Sequence, residues 1–130
     1  MKHIALDTNA YSALAGGSEK VAKLVRKALS IGMPITVLGE LYFGITDGKN
    51  TADNTEHLEK FLNTQRVQIL HIDEETARIF GEIATELKRA GKPIQQNDIW
   101  IAALCKQHSY SLVSNDRGFS NIIGLGLLSF

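Results

Sequence analysis

Short apolar runs alternate along the chain with longer stretches in which apolar residues recur at every third or fourth position. "HIAL" (3–6) is a strand-length run. In "SEKVAKLVRKALSIG" (18–32), Val21, Leu24, Val25, Ala28 and Leu29 form one helical stripe. Ser18 suits the start of that helix and Gly32 its stop. "PITV" (34–37) reads as a second strand, with Pro34 first, where a missing N–H is tolerated. A helix through "LGELYFGI" follows, and "DGKN" (47–50) is turn-like. Leu58, Phe61 and Leu62 sit at helical spacing in "TEHLEKFLNTQ" (55–65). "VQILHI" (67–72) is a third strand. Asp73 is placed to cap a long helix with Ala77, Phe80, Ile83, Ala84 and Leu87 on its inner side, ended by Gly91 and Pro93. The pattern of "IQQNDIWIAAL" predicts a helix from about 97 to 108. "SLVS" (111–114) and "GLLS" (126–129) complete a set of five strands.

Short apolar strands alternating with helices predict a parallel sheet covered on both faces, joined by right-handed crossovers. The 130 residues suit one domain, 1–130, with one core. No repeat, low-complexity tract or linker interrupts the alternation. Formal net charge is zero, which argues against a wholly basic surface for nucleic acid but allows a local patch. The apolar part of "MKHIALDTNAY" is too short for a secretory signal. No run approaches the ~18 apolar residues of a membrane span. The single cysteine, Cys105, has no partner for an internal disulfide and reads as a small buried hydrophobe in a reducing compartment. Together these features predict a soluble cytoplasmic domain.

The candidate chemistry lies in four acids. Asp7 directly follows the first strand, and Asp116 follows the fourth. Glu40 lies one turn past the second strand. Asp98 opens the helix at 97–108, sharing a face with the apolar Ile101, Ala102 and Cys105. Ligands of open parallel sheets bind outside the carboxyl ends of the strands, so the topology predicts one cleft for all four. Each acid also has an ordinary reading: Asp98 as a helix-start residue, Asp7 and Asp116 as turn residues, Glu40 as a solvated helix acid. Asn97 can cap beside Asp98, however, and the flanks of Glu40 (Leu38, Leu41, Phe43) are apolar. Four carboxylates in one cleft repel one another unless a cation or protons intervene. With no Cys or His ligand pattern, an all-oxygen set points to Mg²⁺ or Mn²⁺, with Ca²⁺ less suited. Mg²⁺ held by carboxylates usually meets a phosphate substrate, which predicts metal-assisted phosphodiester cleavage with no side-chain nucleophile.

"ALDTN", "GELYFGI", "GKPIQQNDIWIAA" and "LVSNDRGF", taken in order, resemble the four acid-bearing motifs of the PIN-domain family, and among its members the VapC-type toxin ribonucleases. The resemblance covers nearly the whole chain. It implies a three-layer α/β/α sandwich around a central parallel sheet of about five strands. It also implies that Asp7, Glu40, Asp98 and Asp116 hold Mg²⁺ or Mn²⁺ for RNA hydrolysis, with Asn9 and Ser114 supporting the acids by hydrogen bonds. A homodimer and a small antitoxin partner that blocks the cleft with a basic side chain are implied as well. The sequence departs from the family pattern in having Lys92 where an Arg is common, Gln95-Gln96 where Gly-Pro is common, and Ser114 where Thr is common. None of these changes removes an acid.

Other residues carry weaker signals. Lys20, Lys23 and Lys27, with Arg26 nearby, read as a solvated helix face, or alternatively as a patch for the RNA backbone. Arg117 stands beside Asp116, within reach of a phosphate. Trp100 reads as core or dimer interface before base stacking. His3, His57, His71 and His108 share no motif spacing, and "YFGITDG" (42–48) is a candidate mobile loop beside Glu40. The leading expectation is the toxin endoribonuclease. The alternatives are an RNA-processing nuclease of the same fold without toxin activity, and a binding module whose acids only cap turns and helices. A phosphoacceptor receiver fits poorly, because Asp7 stands alone after the first strand and the last motif offers Arg rather than Lys.

Overall fold

The computed structural model describes residues 3–130. The chain runs β1 (His3–Leu6), α1 (Thr8–Ala15), α2 (Glu19–Lys27), β2 (Ser30–Pro34), α3 (Ile35–Asp47), α4 (Thr51–Leu62), β3 (Val67–Leu70), α5 (Glu74–Arg89), α6 (Gln96–His108), β4 (Ser111–Val113), a 3-10 helix (Arg117–Asn121) and β5 (Leu127–Leu128). The five strands form one sheet in the order β3-β2-β1-β4-β5, and every pairing is parallel. The chain steps outward from β1 to β3, then crosses back to lay β4 on the other side of β1. Strand order therefore reverses between β1 and β4.

Ile4, Ala5 and Leu6 of β1 are fully buried, as are Leu112 and Val113 of β4. Continuous burial without alternation is what a sheet covered on both faces by helices requires. Every residue from Ile101 to Cys105 of α6 is also buried, which makes α6 the central helix of the core. α5 packs antiparallel to it. Gln107, near the end of α6, donates from Nε2 to Asp73 Oδ1 at 2.9 Å, and its Oε1 accepts from Thr76 Oγ1 at the start of α5. Asp73 and Thr76 form a reciprocal capping box there. Phe80 and Trp100 pack across the same hairpin with ring centroids 4.3 Å apart.

The expected order of elements stands, with four local differences. The segment 28–37 is shifted: α2 ends at Lys27, "SIGMP" is the strand, and "ITV" opens α3. Arg66 explains the early stop, since its Nη1 takes the carbonyls of Val25 and Ala28 at 3.0 and 2.6 Å, capping the C-terminus of α2. Gly32 is not a helix stop but sits inside β2. A Cβ there would lie 2.9 Å from Leu70 Cδ1 and 3.0 Å from Tyr110 Cδ2. Second, α1 was not expected from the pattern, because its apolar residues are mostly small alanines. Third, α5 buries Thr76, Ile79, Ile83 and Leu87, whereas Ala77 is exposed. Fourth, residues 42–47 of the candidate loop belong to α3. Among the described residues, no helix is long and apolar enough to cross a membrane.

Candidate active site: a carboxylate cleft where strand order reverses

A parallel sheet opens a crevice outside its carboxyl edge where strand order reverses. Here that place lies between β1 and β4. The register pairs Leu6 with Val113, so the next residues, Asp7 and Ser114, emerge side by side. Ser114 Oγ donates to Asp7 Oδ2 at 2.5 Å and accepts from the Asp116 N–H at 3.0 Å. Asp7 Oδ1 accepts from the Ala10 N–H at 2.8 Å, which caps α1. Both oxygens of this buried carboxylate are therefore fixed in place. Burial pushes its pKa above the ordinary value; the Ser114 and Ala10 bonds oppose that, and Asp116 and Glu40 add to it.

Glu40 lies in the second turn of α3, and Thr8 Oγ1 donates to its Oε1 at 3.0 Å. That bond ties the start of α1 to α3. Asp116 follows β4 and caps the 3-10 helix, accepting the Gly118 N–H at 2.8 Å. A Cβ on Gly118 would lie 3.2 Å from Asp116 Oδ1 and 3.4 Å from Ile94 Cγ2. The loop leading into α6 thus rests on the turn after β4, and this brings Asp98 to Asp116.

Asp98 occupies the first turn of α6 but caps nothing: the cap position is Gln95, and no side-chain cap bond forms. A helix N-terminus favours a carboxylate anion. Burial outweighs it here, reinforced by Asp116, Glu40 and Asp7, and the pKa of Asp98 is pushed up to about 6. Asp7, Thr8, Asn9, Glu40, Asp98, Ile101 and Asp116 line one cleft of about 160 Å³. The structure thus brings the four predicted acids together. Asn9 lines the cleft too, but its amide donates to Asn115 Oδ1 at 3.4 Å rather than to an acid. Thr8 and Ile101 were not anticipated as cleft residues. Thr8 lies between two singled-out positions, but nothing in the sequence shows that α3 passes beside it.

The donor set consists of carboxylates and hydroxyls, the chemistry of a hard cation. Among the described residues, no three His, Cys, Asp or Glu side chains converge tightly enough to close a ligand shell. Mg²⁺ usually keeps several waters and takes one or two carboxylates directly, so an open set of acids fits a hydrated ion better than a dry cage.

The remaining candidates fall elsewhere. Arg117 lines a second cavity that shares Asp116 with the cleft. Lys20, Lys23, Arg26 and Lys27 are exposed on α2 and line none of the cavities described here, and Arg26 pairs with Glu19 at 2.6 Å. Trp100 packs on Phe80 away from the cleft. His3 Nδ1 bonds Ser30 Oγ at 2.7 Å, a structural contact. The Cys105 thiol is fully buried and pushed up to about 12, first by burial and then by Asp7, so it is inert.

Comparison with known proteins agrees with this geometry. The PIN domain profile matches residues 4–125. Ribonuclease VapC2 of Haemophilus influenzae is 40% identical over 92 residues, covering 70% of this chain and 67% of that protein. Ribonuclease VapC5 of Mycobacterium tuberculosis is 23% identical over 119 residues, covering 92% and 87%. Among solved structures, VapBC2 from Rickettsia felis bound to a DNA fragment from their promoter superposes with a TM-score of 0.86 at 26% identity, covering 98% of each chain. VapBC-1 from nontypeable Haemophilus influenzae gives 0.84 at 26%, covering 97% and 96%. The chain belongs to the PIN domain family, in its VapC branch.

Proposed function

We propose that this protein is an endoribonuclease, the toxin of a VapBC-type toxin–antitoxin pair, and that it hydrolyses RNA phosphodiesters with Mg²⁺ or Mn²⁺ held by Asp7, Glu40, Asp98 and Asp116. The relatives named ribonuclease and the VapBC neighbours support the activity and the partner class. The observation that carries the metal site is Asp98. It is partly buried among three other acids, caps nothing, and has a pKa pushed up to about 6. A group placed at such cost without a structural task is a functional candidate.

Each residue has a distinct part. Asp7 is held rigidly by Ser114 and Ala10, so its orientation does not depend on the ligand. Glu40 is steadied by Thr8 across the cleft. Asp98, with Asp7, Glu40 and Asp116, would hold a divalent ion, most readily above about pH 6, where its carboxyl is ionised. Such an ion would supply charge neutralisation, an activated water and stabilisation of the leaving oxygen. Arg117 stands at the rim, where it offers a cation to a phosphate oxygen. The partner is an antitoxin. The groove of Tyr11, Leu41 and Ile45 beside Glu40, with Phe43 exposed nearby at 70%, is apolar surface such a partner would cover. The homodimer implied by the resemblance belongs to the same proposal, and sedimentation of the purified chain tests it.

One observation favours the binding-module alternative: Asp7 and Asp116 do cap helices. Purified protein, free of antitoxin, incubated with total cellular RNA decides between them. Discrete cleavage is expected with Mn²⁺, none with EDTA, and at least about a hundredfold less from Asp98→Asn. A folded protein that neither cleaves RNA nor binds Mn²⁺ would return the acids to capping roles alone. Expression without an antitoxin separates toxin from processing enzyme, since only a toxin stops growth.

A further inference from the structure

The acid cleft, at about 160 Å³, lies well below the ~300–1,000 Å³ of sites that enclose small molecules. It is too small to enclose a nucleoside. Any substrate must seat its bases outside it. A cavity of about 490 Å³ adjoins the cleft and shares Asp116 with it, with Ser114, which bonds Asp7, in its wall. We propose that this cavity holds the base of a nucleotide flanking the scissile phosphate, with Phe130 as the stacking surface, Asn115 as the hydrogen-bonding reader and Arg117 on the backbone. The inference rests on the RNA-hydrolysis reading above and identifies where that substrate is gripped.

Four features support it. Phe130 is half-buried and lines the cavity, and an aromatic face suits any base. Asn115 Oδ1 accepts from Asn9, whereas its NH₂ makes no hydrogen bond among the described residues. An exposed amide with free donors can discriminate base edges. Arg117 forms no ion pair among the described residues, although Asp116 is its neighbour. Finally, the cavity on the other flank of the cleft, about 510 Å³ and sharing Thr8 and Glu40, has no Lys or Arg in its lining, where Tyr11, Leu41 and Ile45 stand with Asn54 and His57. A permanent cation is the stronger phosphate partner, which favours the Arg117 side for the nucleotide.

The test uses an oligoribonucleotide containing a mapped cut, alongside the same strand with an abasic residue next to the cut. On the wild-type protein, removing the base should raise KM roughly tenfold with little change in kcat. Phe130→Ala should raise KM about as much on the intact strand and no further on the abasic one, because both remove one interaction. Asn115→Ala, at an exposed position, should flatten base preference across the four versions of that position. Equal losses for Phe130→Ala on intact and abasic strands would overturn the proposal. So would unchanged KM and preference in both variants. A binding arm separates this from the wider reading: the four nucleoside 5′-monophosphates titrated into metal-free Asp98→Asn, followed by amide NMR. Shifts at 115–120 and 127–130 are expected. Their absence at millimolar nucleotide would overturn the pocket even if the wild type cleaves RNA. Shifts there, with no cleavage of RNA by the wild type, would leave the pocket standing and sink the nuclease assignment.

Discussion

Asp73 and Asp98 open neighbouring helices of one hairpin, yet their surroundings are opposite. Asp73 accepts from the Thr76 N–H and the Gln107 amide, and its pKa falls below the ordinary value, led by the Thr76 backbone bond. Asp98 receives no capping bond, faces three other acids and sits at about 6. The fold concentrates donors on one oxygen of the first carboxylate, Oδ1. At the second it withholds donors and adds like charges. Asp73 holds the cap position, whereas Asp98 lies inside the first turn behind the Gln95 cap, and the donors around each carboxylate differ accordingly.

The contrast can be broken most directly at Asp98. Asp98→Asn should lower metal-dependent cleavage roughly 10²- to 10⁴-fold, since each tenfold corresponds to about 1.4 kcal/mol of transition-state stabilisation. The Tm of the metal-free protein should hold or rise, because a like charge is gone. Retained activity would equate Asp98 with an ordinary first-turn residue. Ser114→Ala removes the hydroxyl shared by Asp7 and the Asp116 N–H. Cleavage should fall about 10- to 100-fold, measured alongside Mn²⁺ affinity. Asp73→Ala should do the reverse of Asp98→Asn, lowering Tm by about 4 °C while sparing cleavage at a permissive temperature.

The smallest effect is in pH dependence, and its sign differs between the two sites. A carboxyl with a raised folded pKa stabilises when protonated, so the Asp98 contribution is present below its ordinary value of 3.8 and is lost as pH rises toward about 6. Asp73 has a lowered folded pKa, so its contribution is present at neutral pH and is lost as pH falls through the acidic range. Tm profiles in EDTA should therefore become shallower between pH 4 and 6 in Asp98→Asn, and their acid-side fall should lessen in Asp73→Asn, the lowered Glu75 keeping its share of that fall. Mn²⁺ affinity should rise with pH up to about 6 in the wild type, as a proton ceases to compete with the ion.

The sequence made the acids legible because each follows a strand end or opens a helix, and a parallel sheet gathers such positions at one edge. The capping role of Asp73 was legible for the same local reason. The register of 28–37 was not. Ile35, Thr36 and Val37 favour strands by propensity, and only Arg66, distant in sequence, reveals where α2 ends. Helix α1 was hidden by its small residues, although Asp7 as a cap and Gly16-Gly17 as a stop were signals available to find it. Thr8 beside Glu40, and Phe130 beside Arg117, depend on how α1, α3 and β5 pack, and no local pattern encodes that.

Asp7 follows β1, caps α1 and lines the cleft with one side chain. Genetic selection against the activity would therefore treat the acids unequally. Changes at Asp7 should reach the cell as protein that folds badly and is degraded, leaving nothing for an antitoxin to bind. Changes at Asp98 should survive as soluble, inactive protein that still occupies the antitoxin. Loss-of-function alleles at the two positions should thus differ in dominance, although the enzyme is equally silent in both.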